Sequence, residues 1–277
     1  MKKKLRALLF FCLLSSCLSA QTIELGSGFN ENRLKMRVKQ VDEFMERFNY
    51  EKDLRGNPVS NRLDAGVRKK YIFSLFNEDL LRQTNDSLLE VYADFANVVT
   101  NIHKPTYIDF TDNKWIAQCN CKVACNGKAS NIFVFLKPEK IREYEYKWVI
   151  VGAGGDLLTL QPARTNPGIM ISPTENELNF MNLPRISGKD NKDVVNYMSE
   201  DYTVNPVTVL NTLIYTGQLK IEYVNKVVYH FFQAPGYVFK VEHFERDSDN
   251  AGWLISGVMR LSQSEKENYR NNIINYK

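Results

Sequence analysis

Apolar residues in this chain are spaced for helices first and for strands afterwards, and that order occurs twice. Leu34, Val38, Val41, Met45 and Phe48 recur every three to four positions with charged residues between them, which predicts an amphipathic helix. A second helix is expected over 62–76. In a third, Leu88, Val91, Tyr92, Phe95, Val98 and Val99 share one face behind a cap at Asn85 or Asp86. From Thr106 the period becomes two, predicting strands at 106–110, 114–125, 128–137 and 143–152. Asn126-Gly127 predicts a type I′ hairpin turn, because both central positions need positive φ.

The second round begins with a capping box at Thr174 and Glu177, a short helix stopped by Pro184, and a further helix at 192–198. Asn205-Pro206 opens another helix and Gly217 closes it, with Pro at the start and Gly past the end as helix termini prefer. Strands follow at 218–224, 226–233, 236–246 and 252–262. Between the rounds, 159–173 has Pro162, Pro167 and Gly168 without a sustained period, and reads as a linker. The expected division is a signal at 1–20, a first domain at 31–158, a second at 174–262 and a polar C-terminal tail at 263–277. Two domains also suit the length at ~100–200 residues each. The halves echo each other in Trp148-Val149-Ile150-Val151-Gly152 and Trp253-Leu254-Ile255-Ser256-Gly257, each on a final strand.

The first twenty residues read as an export signal: Lys2, Lys3, Lys4 and Arg6, then the apolar run Ala7 to Leu14, then small residues. The run is far short of the roughly 20 apolar residues a spanning helix needs, so no transmembrane helix is expected. Cleavage after Ala20 would release a free protein. Cleavage before Cys17, in a Leu14-Ser15-Ser16-Cys17 lipobox, would give a lipid anchor on Cys17. Both readings place the chain outside the cytoplasm, in the periplasm or at the outer membrane of a Gram-negative bacterium.

The whole chain has 36 Lys and Arg against 32 Asp and Glu, and the four basic residues of the signal account for the difference. A mature chain of balanced charge gives no general reason for nucleic acid or anionic lipid to bind. Either would need lysines or arginines clustered by the fold. Nucleic acid is therefore not expected as a partner.

Helices followed by a bent antiparallel sheet that wraps them is an order that resembles the NTF2-like (cystatin-like α+β cone) superfamily, here in tandem over residues 31–262. The resemblance implies an α+β fold of two tandem domains, each with about three N-terminal helices packed on a strongly curved antiparallel sheet. It implies no particular chemistry, since such folds serve isomerases, dehydratases and simple binding modules alike.

Four sets of residues are candidates for chemistry. Tyr146 to Asp156 carries a Gly-Ala-Gly-Gly run, but Leu157 stands where a dinucleotide fingerprint needs its third Gly, and no helical period follows. It reads as a turn after a strand, and no cofactor is expected. Cys119, Cys121 and Cys125 share one strand face, which predicts buried thiols, with a soft-metal site at Cys119 and Cys121 as the alternative; no metal is assigned. His230 and His243 lie on apolar strands, where imidazole suits acid or base work near neutrality. Tyr223, Tyr229 and Trp253 are the aromatic candidates for a pocket wall. The resulting expectation is a non-enzymatic binding or assembly module of the envelope, taking a small apolar ligand or an envelope protein. The alternative is an isomerase- or lyase-type enzyme using His230 or His243 in a cone-shaped pocket.

Overall fold

The computed structural model describes residues 40–53, 55–83, 86–158, 198–199 and 202–275. The signal, the start of the first expected helix with Leu34 and Val38, the cap candidate Asn85, the linker, the capping box at Thr174 with the short helix after it, and nearly all of the helix expected at 192–198 lie outside the described residues. Four helices come first: α1 (Val41–Phe48), α2 (Ala65–Ser74), α3 (Glu78–Gln83) and α4 (Asp86–Val99). Strands β1 (Trp115–Cys125), β2 (Lys128–Arg142) and β3 (Glu145–Gly154) follow, then α5 (Pro206–Tyr215), β4 (Leu219–Phe231), β5 (Tyr237–Phe244), β6 (Gly252–Arg260) and α6 (Gln263–Asn275).

The helix starts follow from local chemistry. Asp64 accepts from the Val67 amide to cap α2, and Asn205 accepts from Val207 and Thr208 to cap α5 behind Pro206. The stretch read as a tail is helical from Gln263. Glu265 accepts from the Ser262 amide at 2.8 Å, and the Ser262 hydroxyl accepts from the Glu265 amide at 3.4 Å. That reciprocal pair satisfies two orphan donors. The Asn126-Gly127 turn has φ of 48° and 78° and pairs Cys125 with Lys128, as the dipeptide predicts.

All six strands form one antiparallel sheet in the order β3-β2-β1-β4-β5-β6. This differs from the expectation of a sheet in each half: β1 pairs with β4 from Trp115↔Phe231 to Cys125↔Leu219, so strands of both halves are continuous. Each half supplies a three-stranded meander, and the first strands of the two meanders meet at the centre. The strands expected at 218–224 and 226–233 are the single strand β4, which absorbs two register shifts against β1. Residues 106–110 are not a strand. Their polar backbone is claimed by side chains, because the Asn49 amide both donates to the Ile108 carbonyl and accepts from the Ile108 amide, at 2.8 Å each.

One face of the sheet carries both apolar clusters. At the β4–β6 half, Phe44 and Phe48 of α1, Ile72 of α2, and Tyr92 and Phe95 of α4 pack on Trp115, Phe231, Phe239 and Val241. Phe231 lies stacked between Trp115 (5.5 Å between centroids) and Phe239 (4.9 Å). Each such ring buried contributes ~1.5–3 kcal/mol. At the β1–β3 half, Leu210 of α5 packs with Cys121, Val123, Ile132, Val134 and Leu219.

The opposite face receives α6, whose end comes so close to β3 that a Cβ on Gly152 would collide with the Ile274 carbonyl oxygen. Gly155, at φ 120°, turns the chain beyond β3. Gly152 and Gly155 of the glycine-rich run are thus accounted for by backbone proximity and a turn.

Candidate functional site

A cleft of about 480 Å³ lies between α1, the 51–62 loop and the segment leading into β1. Met45 and Ile108, both buried, form its floor, and the rings of Tyr107 and Phe110, each more than a third exposed, form a wall. Asp42, Glu46, Glu51, Asp109 and Arg62 stand on the rim. Lys52 pairs with Glu46 at 2.7 Å and Arg62 with Glu51 at 2.8 Å.

What holds this wall in place is a buried cation. Arg68 is 1% exposed, and its guanidinium donates to the carbonyls of Phe48 and Thr106. No carboxylate balances it among the described residues. Its counterparts are the C-terminal carbonyl end of α1, where the helix dipole favours positive charge, and the Tyr107 ring 4.5 Å away. Arg62 also lies over that ring, at 4.9 Å. Burial lowers the Arg68 pKa, and the charge of Arg62 lowers it further. Together with Asn49 and the Trp115 Nε1 bond to the Phe110 carbonyl at 3.1 Å, these contacts pin Thr106 to Phe110 as a pre-set wall. A second, open hollow of about 350 Å³ lies between α2 and α4 beside His103; there the Lys69 ammonium donates to Asn97 Oδ1 at 2.6 Å.

The five residues singled out from the sequence do not converge. Tyr229, Trp253 and His243 come together on the helix-covered face, with centroids 4.9 Å and 5.4 Å apart along the row, and Tyr229 continues it to Trp115 at 5.5 Å. His230, next to Tyr229 in a strand, points to the other face. It is 3% exposed, with Nε2 2.9 Å from Gln118 Oε1 and Nδ1 3.0 Å from the Tyr269 hydroxyl of α6. Burial, and then the nearby Lys240, push its pKa down to about 4, while Glu242 opposes them. Tyr223 is 58% exposed on β4, far along the strand from that pair.

Cys119, Cys121 and Cys125 are free thiols; Cys121 and Cys125 are buried, and burial pushes Cys119 up to about 11. No group of His, Cys, Asp and Glu able to hold a metal occurs among the described residues. Nor is any described helix long and apolar enough to cross a membrane.

Arg62, Arg68 and Tyr107 escaped the sequence reading. Arg68 did leave a signal: it stands three and four positions from Ala65 and Ile72, on the face of α2 that faces the core, where a charge needs a reason. No family model, no curated protein and no solved structure matches the chain.

Proposed function

We propose that the chain is an exported, non-enzymatic binding module of the cell envelope, with its ligand site in the cleft walled by Tyr107 and Phe110. The observation that carries this reading is the construction of the cleft: an apolar floor and aromatic walls beneath a rim of four carboxylates and Arg62, held by buried hydrogen bonds from Asn49 and Arg68. Pockets that bind small molecules set polar groups against apolar and aromatic walls, and walls already in place reduce the ordering cost of binding.

A ligand with an apolar body and polar ends fits such a lining. The test is native mass spectrometry of protein isolated from the envelope, comparing wild type with Tyr107→Ala and Phe110→Ala. The expected result is a bound small molecule that both variants lose. A ligand retained equally by both variants would place the site elsewhere.

The export reading rests on the basic start and apolar run before Ala20, and cell fractionation with mass determination of the mature chain tests it. Detergent-phase partitioning of wild type against Cys17→Ser separates the lipid-anchored form from the free one. Duplication belongs to the same proposal. It is supported by the two meanders meeting at β1 and β4, and by the Trp-to-Gly echo on their last strands, β3 and β6. Kinship with NTF2-like proteins rests on the helix-then-sheet order alone.

A further inference from the structure

Between Lys220 and Lys226, β4 is exposed at every residue: β1 pairs one edge, and β5 pairs β4 only from Val228 onward. The two register shifts and the lysines at either end discourage another strand from adding there. That corner of the sheet nevertheless shows large apolar side chains to solvent. Tyr223 is 58% exposed on one face of the corner; Ile221 and Val224, opposite Val123 and Cys121, are exposed on the other face, where α5 packs and ends at Tyr215, 89% exposed. Apolar groups exposed on both sides of one sheet corner mark an interaction surface there.

The charge at the corner indicates its partner. Residues 120–131 and 212–227, which build it, contain four lysines, Lys122, Lys128, Lys220 and Lys226, against the single acid Glu222. Register puts Lys122 directly opposite Tyr223, and places Lys220 and Lys226 on the same face as both, through Ala124 and Asn120. Lys226 is paired with Glu242, while Lys122, Lys128 and Lys220 make no ion pair among the described residues. A chain balanced overall thus has two unpaired lysines, Lys122 and Lys220, beside Tyr223 on one face of this corner and a third, Lys128, on the other.

We propose that this corner docks on an anionic phospholipid surface, the lysines meeting headgroups and Tyr215 and Tyr223 entering the interface. Aromatic rings with a polar tip favour that boundary, and lysines nearby are drawn to its negative potential. The proposal deepens the envelope reading and rests on it only for a membrane within reach.

The test is co-sedimentation of the mature, unlipidated chain with phosphatidylcholine vesicles, with and without phosphatidylglycerol, at low and physiological salt. Binding is expected only with phosphatidylglycerol, weakening as salt rises. Each lysine near such a surface is worth about fivefold in affinity, so Lys122→Gln with Lys220→Gln should weaken binding more than tenfold. Tyr215→Ser with Tyr223→Ser should also weaken it. All four positions are at the surface, and an unchanged urea midpoint in each variant shows that the fold is intact.

Absence of binding to anionic vesicles, equal binding to neutral ones, or binding untouched by both double variants overturns the proposal. So does duplex DNA binding as tightly at the same salt, which would make the corner a general polyanion surface. Self-association abolished by the tyrosine pair would overturn it as well, by assigning the corner to a second copy. Tyr107→Ala should leave vesicle binding unchanged, so failure here and failure of the cleft reading are separately visible.

Discussion

His230 shows how one buried side chain makes stability depend on pH. Its folded pKa is depressed from 6.5 to about 4, so the unfolded chain takes up the proton first as pH falls. The stability owed to neutral His230 is therefore complete above about pH 6.5 and is lost progressively down to about pH 4. The loss amounts to about 3 kcal/mol. The groups facing it are Lys240 and Glu242 on β5, Gln118 on β1 and Tyr269 on α6. Urea unfolding of wild type and His230→Gln at pH 7 and pH 4.5 checks this: the wild type should lose more than the variant. Equal losses would mean that the site does not titrate in this window.

Arg68 supports the reverse kind of prediction, since it is its partners that suffer when it is removed. Arg68→Met leaves the carbonyls of Phe48 and Thr106 buried without that donor, a cost of about 1–3 kcal/mol. Tyr107 should become more solvent-exposed with it, as a lower denaturation midpoint and altered tyrosine absorbance would report. The thiols belong to this scale too. With Cys119 held near 11 and Cys121 and Cys125 buried, thiol reagents should react slowly with native protein and quickly with all three in denaturant.

At the scale of elements, α6 depends more on its docking than on its own sequence. Its residues are mostly polar, and it is held by Lys266 donating to the carbonyls of Phe232 and Ala234, by Tyr269 on His230, and by the close pass over Gly152. Gly152→Ala would put a methyl group where the Ile274 carbonyl now lies, and a helix end can move more easily than a strand within a sheet. The expected result is loss of amide-exchange protection in the last turns of α6, with protection of β1 and β4 retained. Unchanged protection throughout would mean that the close approach is absent in solution. The 106–110 segment teaches a complementary lesson: it alternates as a strand should, yet Asn49 and Arg68 take its backbone groups before any strand does.

Across the whole molecule, the continuity of the sheet sets how the halves unfold. Trp115, at the start of the first meander, is stacked on Phe231, at the end of β4, and β1 is hydrogen-bonded to β4 over its length. One cooperative transition is expected, with tryptophan fluorescence and far-ultraviolet circular dichroism falling together in urea. Two separated transitions would instead indicate halves that fold independently.

Local chemistry by itself determined much of this. The Asn126-Gly127 turn, the Asn205-Pro206 start, the stop at Gly217 and the helix-to-strand order depend only on residues close in the chain, whose backbone preferences act at short range. Only the tertiary structure decided that β1 joins β4 into one sheet, because strand pairing depends on partners about a hundred residues away. For the same reason adjacent Tyr229 and His230 ended in different surroundings, Arg68 found its carbonyls, and lysines from two distant stretches gathered around Tyr223. Net charge and spacing are properties of a list of residues, whereas a cleft or a charged corner exists only when the chain brings separated residues within a few ångströms.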